Sequence, residues 1–262
     1  TDLTSPAIVW LLLFALTALL FALPLLPHPA PEPAAVVDPA NCTGCDRCLA
    51  DCPYAAIAMQ PHPLRPGFKL AVVDSDLCAA CGICAGSCPS STPFRRRETL
   101  VTGIDMPQQS IHALREQLEQ ALAGLAGPHR VVVFACARGA EASTLAAADT
   151  AVLPLLCAGM LPPSFVEYAL RGGADGVLLN TCRAGSCDFR LGDRWTRERL
   201  AGEREPHLRR TVPAARLQLC AAGAGDEGTL SAALNDFRAR LDNEALAGEQ
   251  LPPYLRRASN HA

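Results

Sequence analysis

The residues best suited to chemistry in this chain are its cysteines. Residues 42–53 read CTGCDRCLADCP and residues 78–89 read CAACGICAGSCP, the same C-x2-C-x2-C-x3-C-P pattern repeated 36 residues apart. Three thiols at x2 spacing wrap a tight loop and can reach three corners of one iron–sulfur cubane. The fourth, followed by proline, opens a helix that points away and reaches the cluster of the other repeat. The spacing therefore predicts one [4Fe-4S] cluster on Cys42, Cys45, Cys48 and Cys88, and a second on Cys78, Cys81, Cys84 and Cys52. Gly44 and Gly82 lie inside the loops, where a missing Cβ lets backbone N–H groups approach sulfide. Ile57 and Ile83 are candidates for the apolar shell that excludes water and tunes potential. Zinc is the competing ligand for paired CxxC groups, but four ligands per zinc leave the x3-C-P half of each cassette without a role.

This stretch, over about residues 38–94, resembles bacterial-type ferredoxins with two [4Fe-4S] clusters. All eight ligand positions and both prolines are present. The resemblance implies one-electron transfer and a compact α+β fold of two short hairpins and two short helices. The segment PHPLRPGFKLAVVD between the cassettes is a modest insertion in that pattern.

The remaining cysteines are 136, 157, 182, 187 and 220, in a stretch where short apolar runs alternate with helical ones. RVVVFAC, AVLPLLC, GVLLNTC and ARLQLC read as buried strands. EASTLAAAD, PPSFVEYALRGG, an interrupted run from Leu191 to Leu208, and Thr229–Leu241 read as helices. Such alternation predicts an α/β domain with a parallel sheet covered on both faces. Cys136, Cys157, Cys182 and Cys220 each close a predicted strand, and Cys187 follows Cys182 by five residues. In a parallel sheet the strand ends lie along one edge, where open α/β sheets carry their ligands. Buried structural cysteine, the alternative, predicts no such placement.

VVVFACARGAEAS and LLCAGMLPPSFVEYALRGGADGVLLNTCRAGSCDFRLGDR, with the helix after them, resemble the iron–sulfur delta subunit of methyl-viologen-reducing hydrogenases over about residues 130–240. The resemblance implies a [2Fe-2S] cluster and electron relay between a hydrogenase or dehydrogenase and a flavin-bearing partner. One departure is clear: Gly139 stands where that family usually has a cysteine three residues after the first. Cys136, Cys157, Cys182 and Cys187 remain as a ligand set, with Cys220 in reserve. Gly223-Ala-Gly225-Asp-Glu-Gly228 matches a dinucleotide-binding pattern, but its two acids would repel a pyrophosphate and no further βαβ unit follows, so it reads as a helix-entry turn.

These elements are to be held by six segments: a transmembrane anchor (1–27), a Pro/Ala tether (28–41), the ferredoxin domain (42–94), a linker with an amphipathic helix (95–129), the α/β domain (130–245) and a tail (246–262). Ala7 to Leu26 is twenty residues without a charge, about one bilayer core of helix. A cleaved secretory signal is the alternative, though no Lys or Arg precedes the run. The Arg-rich sequence lies C-terminal to it, which favours a single pass through the inner (cytoplasmic) membrane with the cluster domains on the cytoplasmic side. The FRRRE run at 94–98 reads as a solvated face or a lipid-phosphate contact.

A formal net charge of −3 and 5% aromatics argue against nucleic-acid binding. The 13 cysteines are an odd number, against a fully paired disulfide framework. No nucleophile–base pair or histidine cluster suggests a substrate-converting site. The reading is a membrane-tethered electron-transfer subunit of an oxidoreductase complex, between a flavoprotein or hydrogenase-like subunit and a membrane quinone or cytochrome b partner. A ferredoxin-coupled thiol/disulfide module or sensor is the alternative, and a zinc-binding assembly scaffold a third.

Overall fold

The computed structural model describes residues 6–23, 32–95 and 99–242. The chain divides into two compact units, residues 1–32 and 33–262. The first contains helix α1 (Pro6–Ala22), apolar on every side, with no buried residue and Thr17 Oγ1 donating back to the Leu13 carbonyl at 2.7 Å. Of the expected span from Ala7 to Leu26, the described residues show the part up to Ala22 as helix. The helix has 17 residues, about 26 Å at 1.5 Å per residue. Among the described residues no helix is long and apolar enough to cross a membrane. Pro24, Leu25 and Leu26, most of the tether, Arg96 and Arg97, and the whole tail lie outside the described residues.

The second unit opens with β1 (Val36–Val37), α2 (Arg47–Asp51), β2 (Ile57–Pro61), β3 (Lys69–Val73), α3 (Ile83–Ser87) and β4 (Ile104–Asp105). β2 and β3 form an antiparallel hairpin and β1 pairs antiparallel with β4. The segment inserted between the cassettes makes the β2–β3 connection. There Arg65 donates to the carbonyls of Pro39 and Cys42 at 2.8 and 2.6 Å, pinning the turn to the first cassette.

The cassettes share a backbone. Gly44 and Ala80, which precede the second cysteine of each, have φ of +66° and +55°. Asp46 and Gly82, which follow it, have +61° and +75°. Two left-handed residues per loop curl three thiols inward. Glycine fills one of the two positions in each repeat, and not the same one.

Helix α4 (Ile111–Gly124) follows, capped by the Ser110 hydroxyl, which accepts from Ala113 N–H at 3.0 Å. Ile111, Leu114 and Leu118 form its buried stripe. Then come β5 (Val131–Cys136), β6 (Thr150–Leu155), α5 (Ser164–Arg171), β7 (Gly176–Thr181), α6 (Gly192–Ala201), β8 (Leu217–Ala221) and α7 (Glu227–Leu241). The four strands form one parallel sheet in the order β6-β5-β7-β8. Alternation along β5 divides the core. Val132 and Phe134 pack with Ile111, Leu114, Phe165 and Val166 on one face, and Val131, Val133 and Ala135 pack with Leu230, Leu234 and Phe237 of α7 on the other. The chain leaves β5 toward β6 on one side and returns to β7 on the other, so the β5/β7 junction is the topological switch point of the sheet.

The helix expected over EASTLAAAD is absent. Only a 3-10 turn at Ser143–Leu145 forms, and Ala147 then bridges to Thr150. A crossover helix needs an apolar stripe to bury, and this segment offers one large side chain, Leu145. The Glu141 carboxylate meanwhile accepts from Ser143 N–H at 2.8 Å, a local bond that competes with helix.

Candidate metal centres

None of the thirteen cysteines is joined to another in a disulfide. Cys42, Cys45, Cys48 and Cys88 line one cavity, with Met59, Ala71 and Ile104 as apolar wall. Cys52, Cys78, Cys81 and Cys84 line a second, walled by Ile57, Ile83 and Met106. In each, three thiols come from the cassette's own loop and the fourth from the far end of the other cassette's short helix. Helices α2 and α3 pack together, each leading to a thiol in the neighbouring cavity. Cys48 and Cys84 stand where the cavities adjoin, close enough for the Cys48 charge to act on Cys84.

Burial pushes the Cys48 thiol up to about 12 and the neighbouring Cys88, Cys45 and Cys42 add to it. Burial also pushes Cys81 up to about 11, against a backbone N–H contribution at Ile83 that lowers it. Cys84 is raised well above an ordinary thiol, again first by burial. Four thiolates in one apolar cavity repel each other and lack water. A cationic iron–sulfur core supplies the missing charge, so this all-thiol donor set in an enclosed apolar cavity fits such a group.

The α/β part gathers the other set. Cys136 ends β5, Cys182 follows β7, Cys157 lies just beyond β6, and Cys187 comes in from the loop after β7. Cys136 and Cys182 flank the switch point, their sulfurs 3.7 Å apart. Cys157 and Cys187 lie close enough to that pair for the four thiols to act on one another. Hydrogen bonding among the thiols holds Cys136 and Cys187 below the ordinary thiol range and Cys157 and Cys182 above it. The Gly159 N–H donates to Cys157 Sγ at 3.4 Å, and Cys182 Sγ lies 3.6 Å from the Arg138 carbonyl. Cys136, Cys157 and Cys182 are buried, while Cys187 is half-buried in an exposed loop. Among the described residues no three His, Cys, Asp or Glu side chains are arranged to hold a single metal ion.

Cys220, the reserve ligand, is not in this set. It packs in the core under α7, with Val131, Val133, Leu178 and Leu230, whereas Cys136, Cys182 and Cys187 pack together elsewhere and Cys157 packs with Cys81 and Ile83. It sits one residue short of its strand's end, so its side chain follows the pleat into the sheet face. At Gly139 a Cβ would stand 2.7 Å from the Asn180 amide and 3.0 Å from the Ala222 carbonyl. The chain here pairs with Gly223 instead, leaving no room for the family's extra thiol. The Gly223–Gly228 turn holds its own anion. Asp226 accepts from Gly223 N–H at 3.0 Å and pairs with Arg183, closing the place a pyrophosphate would need.

The sequence offered no signal for what joins the two cysteine regions. Cys81 and Ile83 share one buried cluster with Cys157 and Trp195, edged by Tyr54, Phe189 and Leu191. Gly192 opens α6 so close to Cys157 Sγ that a Cβ there would overlap it, and Ile83 packs on Gly159. Tyr54 hydrogen-bonds the Asp188 carbonyl at 3.4 Å, and its ring sits 4.7 Å from the Arg190 guanidinium. Asp51, next to Cys52, is buried. Arg199 and Arg204 donate to its two carboxylate oxygens and Trp195 Nε1 donates to its carbonyl at 3.1 Å.

With this geometry in place, two family matches can be set on it. Residues 41–92 match the 4Fe-4S dicluster domain. Residues 131–243 match the family described as methyl-viologen-reducing hydrogenase, delta subunit. The chain joins an iron–sulfur dicluster domain to a hydrogenase-delta-type domain. It is also similar to a vhc iron-sulfur subunit of the F420-non-reducing hydrogenase of Methanococcus voltae, 36% identical over 47 residues. That match covers 18% of this chain and 33% of the relative, so the chain spans about a third of the length of the curated relative it matches.

Proposed function

We propose that this chain is the iron–sulfur electron-relay subunit of a multi-subunit redox complex. In this reading Cys42, Cys45, Cys48 and Cys88 hold one [4Fe-4S] cluster, and Cys52, Cys78, Cys81 and Cys84 the other. Cys136, Cys157, Cys182 and Cys187 hold a [2Fe-2S] cluster at the sheet rim. The clusters supply one-electron redox chemistry when bound. The protein's residues do the rest. Ile57, Ile83 and Met106 keep water from the second cavity, and Met59 and Ile104 do so for the first. The Gly159 N–H is aimed at a rim sulfur, where it stabilises thiolate charge.

The observation that carries the reading is the continuity of the three cysteine sets. The first cavity adjoins the second at Cys48 and Cys84, and the second meets the rim across the Cys81–Ile83–Cys157 cluster. The half-buried Cys187 brings the rim set to the surface, where a flavoprotein or hydrogenase-like subunit would dock. The membrane side of the proposal, with a quinone or cytochrome b partner, rests on α1 alone, a helix with no charge and no buried residue. Flotation of the chain with liposomes, lost on replacing Leu12 and Leu16 by Lys, tests that attachment.

The deciding measurement is iron and acid-labile sulfide per chain, with EPR, on anaerobically purified protein. About ten of each with a separate binuclear signal supports three centres; about eight with no such signal removes the rim cluster. The 3.7 Å approach of the Cys136 and Cys182 sulfurs would then favour the second reading, a thiol/disulfide module fed by the ferredoxin domain.

A further inference from the structure

We propose that Arg199 is a positioning residue that clamps the second cysteine cavity against the rim thiols, fixing the gap an electron must cross between them. The inference rests on the reading of both places as cluster sites. Arg199 lies near the end of α6, with 1% of its side chain exposed, and its partner Asp51 has 4%. One end of its guanidinium donates to the Asp51 carboxylate, one residue before Cys52. The other donates to the Gly159 carbonyl at 2.7 Å, two residues after Cys157. A single planar fork therefore grips both cysteine regions at once. Arg204 braces it, donating to the second Asp51 oxygen at 2.6 Å while its guanidinium lies 3.3 Å from the centre of the Trp195 ring.

Stability alone gives no reason for this arrangement. A buried ion pair recovers little beyond the desolvation of its charges, and an apolar pair of similar volume commonly does as well. The Arg199 Nε has no hydrogen-bond partner among the described residues, a further burden on the fold. What the fork does that an apolar pair cannot is fix direction and distance between two acceptors on separate segments. Tunnelling contact between redox sites depends on that distance, and the clamp sits on the segments that carry a ligand of each.

Two variants test this. Asp51→Leu with Arg199→Met removes both charges, so neither is stranded in the interior. Arg199→Lys keeps the charge but reaches only one of the two acceptors. In the anaerobically purified full chain, the double variant should keep the ferredoxin iron and the wild-type circular dichroism. Amide exchange over residues 192–201 should rise at least tenfold, and the magnetic interaction between the reduced Cys52-set centre and the rim centre should weaken. Arg199→Lys should fall between. A purely structural role would not move the magnetic interaction. Wild-type protection together with wild-type interaction in the double variant would overturn the clamp. A wild-type protein without any rim signal sinks the rim-cluster reading instead, and the clamp's part in holding the seam is then decided by amide exchange alone.

Discussion

Exchanging the two loop residues that differ between the cassettes should move stability in opposite directions. Ala80 is held at φ +55°, a left-handed conformation that costs a residue with a Cβ roughly 1–2 kcal/mol. Glycine there removes that strain but gives back about 0.5–1 kcal/mol of unfolded-state entropy. Ala80→Gly should therefore stabilise the ferredoxin part by roughly 0.5–1 kcal/mol. Gly82→Ala adds the same strain at φ +75° and a methyl 3.0 Å from Met160 Cβ and 3.1 Å from Met106 Cγ. Overpacking of that kind costs about 1–3 kcal/mol, for a net loss near 2–3 kcal/mol. The assay is the anaerobic thermal midpoint of cluster bleaching at one scan rate, where about 1 kcal/mol corresponds to about 2–4 °C. Ala80→Gly should raise it by about 1–4 °C and Gly82→Ala lower it by about 4–12 °C. A lower midpoint for Ala80→Gly, or no change for Gly82→Ala, would refute the view that both loops are the same curl with glycine placed by its neighbours.

Arg199→Met leaves the buried Asp51 with Arg204 as its remaining cation and takes the donor from the Gly159 carbonyl, and should cost roughly 2–3 kcal/mol by anaerobic guanidinium unfolding, whereas the paired change with Asp51→Leu should stay within about 1–2 kcal/mol of wild type. Cys220→Ala should leave iron content and EPR untouched, while Cys182→Ser should abolish any rim signal; loss of that signal on removing Cys220 would contradict the four-thiol set described above. Burial holds the Asp105 carboxyl above its usual range, even though it accepts the Ile111 and Met106 amides. An acid with a raised folded pKa contributes stability below its unfolded value and loses it as pH rises through the folded one. Asp105→Asn should accordingly melt higher than wild type at neutral pH, the gap closing below about pH 4, as calorimetry across that range would reveal.

The cysteine cassettes were legible because their chemistry is local. Three thiols at x2 spacing share one loop whatever surrounds them, and the proline after the fourth turns the chain away. The strands of the α/β part were legible for a similar reason, since a run such as VVVFAC has apolar side chains for both faces of a covered sheet. EASTLAAAD was misread because helix propensity is local but crossover helices are held by a buried stripe, which this segment lacks.

The sequence by itself determined which thiols are available, how they are grouped in the cassettes and that a parallel sheet would bring distant cysteines to one rim. Only the tertiary structure decided which of them meet. Strand order put Cys136 and Cys182 side by side at the switch point, and a one-residue offset in the pleat sent Cys220 into the core. The seam where Arg199 grips Asp51 and Gly159 has no sequence signature, because its parts lie far apart in the chain and each looks ordinary alone. Periodicity and spacing act over a few residues, whereas strand order, register and burial are properties of the packed whole.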